Sequence, residues 1–178
     1  NPNAGAWIRF NPFDGQGIHN ENVVEFRYAL VESDSIPLEQ QYALYKELEL
    51  PIRVLVHSGG KSLHAIVCIG AGSSNEYRER VSFLYKTCEA NGLKIDTQNK
   101  NCSRLSRMPG IMRGEKRQYI VAENIGKASF EEWQEWVESV NDDLPDPENL
   151  ADVWDAMPAL APPLIEGVLR QGHKLLLA

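Results

Sequence analysis

Two short apolar runs on either side of a glycine-containing turn constrain the fold of this chain more than any other feature. Residues 52–57 (IRVLVH) and 63–69 (LHAIVCI) are rich in β-branched side chains and show no helical period, so each predicts a strand. The segment Ser58-Gly59-Gly60 between them predicts a tight turn, after which the second strand starts at Lys61. Any fold of the chain must therefore contain a strand, a turn and a second strand in this order.

The turn also contains Gly60-Lys61-Ser62, which looks like the end of a phosphate-binding P-loop. That motif needs a glycine five residues before Gly60 and a helix that begins at the Lys-Ser pair. Leu55 occupies the glycine position, and a strand follows the turn, so the segment is not a P-loop. Because side chains alternate along a strand, Ser62 and His64 are predicted to share one face at this edge of the sheet.

Composition and charge limit the class of protein. The chain has 178 residues, of which 43% are hydrophobic and 24% charged, as expected of one soluble globular domain with an appendage. No apolar run approaches the ~18 residues that a membrane span requires. The three cysteines, Cys68, Cys88 and Cys102, lack the spacing of a metal site and predict reduced thiols in a cytoplasmic protein.

The net charge of −7 argues against a protein that coats nucleic acid non-specifically. The charges are nevertheless segregated along the chain. Residues 94–117 contain seven basic side chains and two acidic ones, whereas residues 131–156 contain ten acidic side chains and no basic one. A basic middle segment therefore stands out from an acidic chain.

The remaining patterns predict an α+β fold. Further strands are predicted at residues 6–10, 23–33, 93–95 and 118–122, and helices at 39–50 with Ser35 as N-cap, from Ser74 to about Ala90, and up to Val140 with Ser129 as cap. After about Asn141 the chain becomes acidic and rich in proline. We therefore divide it into a domain of residues 1–141 and a linker-like segment of residues 142–178, which is predicted to be a helical tail that leads into a further domain.

Carboxylates are predicted to lie at the ends of two strands. Glu32 and Asp34 stand at i and i+2 at the end of a buried strand and point to one face, and Asp96 ends another predicted strand. Carboxylates that close repel each other unless a cation lies between them, and their oxygens suit Mg²⁺ or Mn²⁺. Two strand-end carboxylates with a third from a neighbouring strand are typical of two-metal phosphoryl transfer.

Three motifs in order resemble the catalytic core of the archaeo-eukaryotic primase superfamily, in the form carried by phages, plasmids and integrated elements. "VESD" is similar to the first acidic motif, "SGGKSLH" to the Ser-x-His motif, and "LKID" followed by "NCSRLSRMPG" to the third motif. The resemblance covers roughly residues 5–124. The first motif is Glu-x-Asp here, where many relatives have Asp-x-Asp or Asp-x-Glu.

The resemblance implies a DNA primase or polymerase that adds nucleotides to a primer or an initiating nucleotide in the replication of a mobile element or phage. Its partners would be a single-stranded DNA template and nucleoside triphosphates, its cofactor Mg²⁺ or Mn²⁺, and its fold an RRM-like catalytic sheet joined to a smaller N-terminal α/β unit. The implied metal ligands are Glu32, Asp34 and Asp96. The implied nucleotide-binding residues are Lys61, Ser62, His64, Arg107 and Asn11, the last beside the sugar. Arg104, Arg113 and Lys116 would contact the nucleotide or the template backbone.

The end of the chain, "PPLIEGVLRQGHKLLLA", resembles the lead-in to a RecA-like ATPase, which implies that the natural protein continues into a fused or associated helicase. An amphipathic tail that docks on the domain or stays disordered is the alternative.

Two other functions fit parts of the pattern. A metal-dependent nuclease also uses clustered carboxylates and a lysine, but needs no triphosphate pocket. A non-catalytic RRM-like module would bind single-stranded nucleic acid through aromatic side chains on its sheet, for which Tyr28 and Tyr119 are the candidates.

Overall fold

The computed structural model describes residues 3–142, 163–165 and 169–170. The chain divides into two compact units, Asn1–Ser139 and Val140–Ala178. The strands are β1 Trp7–Arg9, β2 Phe26–Val31, β3 Ile52–His57, β4 Leu63–Ala71, β5 Leu105–Arg107, β6 Met112–Arg113, β7 Lys116–Arg117, β8 Tyr119–Ile125, β9 Pro163–Ile165 and β10 Leu169–Arg170. The helices are α1 Leu38–Glu47, α2 Ser74–Ala90 and α3 Phe130–Asp142, with 3-10 turns at Asn20–Asn22 and Thr97–Lys100.

The main sheet has four antiparallel strands in the order β2-β4-β3-β8. Helix α1 connects β2 to β3 with β4 between them, and the connection from β4 through α2 to β8 passes over β3, so both are split β-α-β units. The predicted mixed α+β class is confirmed. Unlike the last strand of an RRM, which lies beside the first, β8 pairs with the second strand of this sheet.

Three buried tyrosines attach the helices to one face of the sheet. The hydroxyl of Tyr45 in α1 donates to the Leu63 carbonyl at 3.1 Å, and that of Tyr85 in α2 donates to the Leu30 carbonyl at 2.6 Å. Tyr77 donates in the same way to the Tyr28 carbonyl at 3.2 Å. Because a buried hydroxyl without a partner is costly, these bonds fix the helices to β2 and β4 as well as filling the core.

The other face of the main sheet is contacted by a small second sheet, in which β1 pairs antiparallel with β5. Leu63 and Ala65 of β4 belong to the helix-side core, so His64 between them points away from the helices, and there it contacts Ser106 of β5. Buried Gln118 joins β1 to the β6–β7 hairpin, because its amide bonds both the nitrogen and the carbonyl of Ala6 and the carbonyl of Met108. This small sheet and the 3-10 turn at Asn20–Asn22 correspond to the smaller N-terminal α/β unit that the resemblance implied. One of the two strands, β5, comes from later in the chain.

Two local predictions were wrong. Residues 93–95 do not form a strand, because the nitrogen of Leu93 bonds the Cys88 carbonyl and closes the end of α2 after Gly92, whose φ is +84°. Asp96 joins the sheet by one backbone bond only, to the Glu32 carbonyl at 3.2 Å. Ser35 does not cap α1, since the N-cap is Pro37.

The other two helix starts lie close to the predictions. Ser73, one residue before the predicted Ser74, caps α2 by accepting the nitrogen of Glu76, and Ser129 accepts the nitrogen of Glu132 in α3 as predicted.

In the second unit the structure describes one antiparallel pair, β9 with β10. The rest of the predicted helical tail, residues 143–162, 166–168 and 171–178, lies outside the described residues. Among the helices of the described part of the chain, none has the length and apolar character to span a membrane.

Tyr45→Phe tests the attachment of α1 to the sheet. The change removes a buried hydroxyl that contacts the carbonyls of both Leu63 and Val31, so we expect the free energy of unfolding to fall by about 1–2 kcal/mol. Tyr42→Phe, on the exposed side of the same helix, is the matched control and should change it by less than about 0.5 kcal/mol. Urea denaturation followed by circular dichroism measures both. Equal stability of the two variants would show that the hydroxyl does not hold the helix.

Candidate active site

An open cleft of about 710 Å³ lies where β2 ends and β4 begins. Ten of the eleven residues predicted from the sequence line it. The lining consists of Asn3, Trp7, Glu32, Asp34, Gly59, Gly60, Lys61, Ser62, His64, Asp96, Arg104, Arg107, Arg113, Gly114 and Lys116. Its size is that of a small-molecule site. Its carboxylates come from the end of β2 and the segment before the second 3-10 turn, and its cations from the β3–β4 turn and residues 104–116.

At the base of the cleft, Glu32 and His64 form a pair. Val31 is opposite Ala65 in the antiparallel register, so the next residues on each strand, Glu32 and His64, are also neighbours. Glu32 Oε2 accepts from His64 Nε2 at 2.7 Å, and Glu32 Oε1 accepts from Asn99 Nδ2 at 2.8 Å. Burial alone would raise the pKa of Glu32, but the hydrogen bonds from His64 and Asn99 and the nearby positive charges outweigh it, and the pKa is lowered. The carboxylate is therefore ionised at neutral pH.

The second ring nitrogen of His64 faces the small sheet. His64 Nδ1 lies 3.1 Å from Ser106 Oγ and 3.4 Å from the backbone nitrogen of Arg107, which can only donate. In the neutral imidazole, Nδ1 therefore accepts while Nε2 carries the proton and donates to Glu32. Both nitrogens are thus occupied, and the ring, 2% exposed, has one orientation.

Arginines line the same cleft. Arg107 is buried, donates from Nη1 to the Ala4 carbonyl at 2.6 Å and lies over the ring of Trp7. Burial first and the charge of Arg113 second lower the pKa of Arg107, so the two guanidinium groups are close enough to repel each other. Arg113 donates to the Ser58 carbonyl at 3.4 Å and passes close over the turn. A Cβ on Gly60 would lie 2.7 Å from Arg113 Nη1, so a side chain at this position would displace the guanidinium.

The three predicted metal ligands line the same cleft, although Asp96 does so from an irregular segment. Asp34 is exposed, and Asp96 Oδ2 lies 3.7 Å from Arg104 Nη2. Within the described residues, no group of three or more His, Cys, Asp or Glu side chains lies close enough together to hold a metal ion. The donors nevertheless fit Mg²⁺ or Mn²⁺ in their chemistry, since both ions prefer carboxylate oxygens and the three carboxylates line one cleft.

Two predicted residues have mainly structural contacts. Ser62 lines the cleft but is buried, and its hydroxyl bonds that of Ser58 at 3.3 Å. Asn11 does not line the cleft. Its side chain donates to the carbonyls of Tyr28 and Cys102 and accepts from the nitrogens of Arg27 and Tyr28, so its amide is fully used in holding the chain around β2. This placement of Asn11 corrects the prediction that its side chain contacts the nucleotide sugar in the cleft.

Three residues of the site were missed in the sequence. Ser106 orients His64, Asn99 binds Glu32, and Trp7 lies beside Arg107. Ser106 lies between Arg104 and Arg107 of the third motif, and this position could have indicated that it belongs to the site. For Trp7 and Asn99, no pattern in the sequence connects them with the carboxylates.

Comparisons with known proteins give one similar structure to report. No protein-family model matches the chain, and no curated protein matches it. Among solved structures, it is similar to the AEP domain of the primase-polymerase of cyanophage S-2L, with 19% sequence identity and a TM-score of 0.49. The match covers 67% of this chain and 64% of that one, so the chain spans less than two thirds of that structure. At this identity and TM-score, the likeness does not bear on function.

The arrangement around His64 can be tested by ¹⁵N NMR of the imidazole. In the neutral ring we expect a protonated Nε2 and an accepting Nδ1, and Ser106→Ala should shift the Nδ1 resonance because it removes the hydroxyl at 3.1 Å. Ser82→Ala, in α2, is the control and should leave both resonances unchanged. A protonated Nδ1 in the neutral ring would contradict the hydrogen bonds assigned to the site.

Proposed function

We propose that the cleft catalyses nucleotidyl transfer, as a DNA primase or polymerase that joins a nucleoside triphosphate to a primer end or to an initiating nucleotide. One observation carries this proposal: carboxylates and cations from separate parts of the chain line one open cleft. Nucleotidyl transfer needs this combination, because the triphosphate is a dense anion and its metal ions need carboxylate ligands.

The basic side chains of the cleft would bind the triphosphate. Arg107 presents a guanidinium whose backbone and aromatic contacts hold it in place, which reduces the entropy lost when it pairs with phosphate oxygens. Lys61, in the β3–β4 turn, and Arg113, which donates to the Ser58 carbonyl of that turn, line the same cleft. The proton on His64 Nε2 is directed into the cleft toward Glu32, where a phosphate oxygen could take the place of the carboxylate as acceptor.

Glu32, Asp34 and Asp96 would hold Mg²⁺ or Mn²⁺. When bound, the ions supply stabilisation of the charge that develops on the phosphate and lower the pKa of the attacking hydroxyl. Asp34, exposed at the mouth of the cleft, is the carboxylate most accessible to a primer end. Asn99 donates to Glu32 and would keep the carboxylate in position as ligands enter.

The wider context of the reaction is part of the same proposal. The substrate strand would be single-stranded DNA, whose backbone Arg104 and Lys116 would contact at the edges of the cleft. Replication of a phage or mobile element is the setting that the three motifs favour, and the resemblance of the chain's end to the lead-in of a RecA-like ATPase favours a fused or associated helicase.

Asp34→Asn tests the proposal most directly. The variant keeps the size of an exposed side chain but loses a charged metal ligand, so we expect labelled nucleotide incorporation to fall at least ~100-fold on a single-stranded DNA template, with or without primer, in Mg²⁺ or Mn²⁺. Glu39→Gln, in the first turn of α1, is the matched control and should retain full activity. Template degradation without incorporation by the parent chain would indicate a nuclease instead, and template binding alone a non-catalytic module.

His64→Ala tests the triphosphate site. Loss of one charge-assisted contact corresponds to about tenfold, so incorporation should slow by at least ~10-fold at subsaturating nucleotide. A circular dichroism spectrum equal to that of the parent controls for folding. If the variant incorporates nucleotides at the parental rate over the whole concentration range, the role of the imidazole is structural only.

A further inference from the structure

A second pocket of about 330 Å³ opens beside the cleft and has no role in the chemistry described above. It is lined by Trp7, Arg9, Ile18, Asn101, Ser103, Arg104 and Leu105. Trp7 and Arg104 also line the cleft, so the two spaces share a wall. A single ligand could therefore extend from one into the other.

The apolar part of this side pocket is unusually accessible. Trp7 is 47% exposed, and Leu105 and Ile18 are exposed as well. The guanidinium of Arg107 covers one side of the indole, with its central carbon 3.5 Å from the ring centroid. A tryptophan that keeps half its surface open in a concave site offers a flat stacking surface, and exposed apolar groups grouped in this way mark a binding site.

The polar part of the side pocket is basic. Arg9 and Arg104 are the charged groups, and among the described residues that line the pocket there is no carboxylate. Arg9 is held by the Ser103 carbonyl and by the ring of Phe13, so it has a defined position. An aromatic surface beside guanidinium groups suits a planar, hydrogen-bonding ring attached to phosphate, which is the chemistry of a nucleotide.

We propose that the side pocket binds the base of the incoming nucleoside triphosphate, which stacks on Trp7 while its phosphates lie in the cleft. This inference rests on the proposed function, because it takes the triphosphate site as given. The wall shared by the two spaces supports one continuous ligand, with the sugar passing between Trp7 and Arg104. Stacking does not distinguish the four bases, so the pocket would supply affinity while the template supplies selection.

Trp7 has a second contact that the test must separate from stacking. Because Arg107 lies against the indole, removal of Trp7 could weaken phosphate binding indirectly by releasing the arginine. Inorganic triphosphate has the phosphates but no base, so it reports on the cleft alone. Leu105 lines the side pocket and does not line the cleft, so Leu105→Ser probes the base site independently of Arg107.

The experiment is calorimetric titration of the 178-residue chain with dATP and with inorganic triphosphate, in Mg²⁺ and without nucleic acid. We expect Trp7→Ala to weaken dATP binding about 10-fold, the order of one lost stacking contact, and to change triphosphate binding less than about 2-fold. Trp7→Phe should restore most of the affinity, and Leu105→Ser should weaken dATP binding by a smaller factor. Tyr42→Ala is the matched control, since Tyr42 in α1 is 36% exposed and does not line either space.

Three results would overturn the inference: unchanged dATP affinity in Trp7→Ala, an equal loss for dATP and triphosphate, or no binding of dATP by the parent. The proposed function is judged separately, by nucleotide incorporation in the parent and in Asp34→Asn. If the parent synthesises DNA and Trp7→Ala binds dATP normally, the proposed function stands and the base pocket is rejected. If the parent binds dATP through Trp7 but incorporates no nucleotide, the base pocket stands and the proposed function is rejected.

Discussion

The antiparallel pairing of β2 with β4 is the constraint on which the site depends. In antiparallel strands the end of one lies beside the beginning of the other, so the last residues of β2 must meet the first residues of β4. This brings Glu32 next to His64 although a helix and a strand separate them in the chain. The two side chains then satisfy each other, which is what allows a carboxylate and an imidazole to be largely buried at the base of an open cleft.

Both faces of the sheet hold this meeting point in place. On the helix side, the hydroxyls of Tyr45 and Tyr85 bond backbone carbonyls of the same two strands. On the other side, Ser106 of β5 fixes the imidazole, and β1 supports β5 through their pairing. A functional group is positioned more precisely when its neighbours belong to regular elements, and here β2 and β4 are held from both faces of the sheet.

Strand periodicity made much of this arrangement predictable, and tertiary contacts account for the rest. The hairpin around Gly59 and Gly60 and the shared face of Ser62 and His64 follow from alternation within one segment. The irregular backbone before Asp96 could not be predicted in this way. The nitrogen of Leu93 bonds the Cys88 carbonyl at the end of α2, and the apolar residues at 93–95 do not indicate this bond. Pairing of β1 with β5 joins segments far apart in sequence, so the positions of Trp7 and Ser106 could be found only in the folded chain.

The basic segment of residues 94–117 acquires a physical meaning in the cleft, because four of its basic side chains line it together with three carboxylates. The pKa of Arg107 is lowered by burial and by neighbouring Arg113, so its guanidinium lies close to a second positive charge. Opposite charges also lie near each other, since Asp96 Oδ2 is 3.7 Å from Arg104 Nη2 and the charges of Glu32 and Asp34 act to raise the pKa of Arg107. The cleft therefore presents both signs of charge to a ligand. A metal-bound triphosphate carries charges of both signs as well, since its cation can bind the carboxylates while its phosphates pair with the arginines.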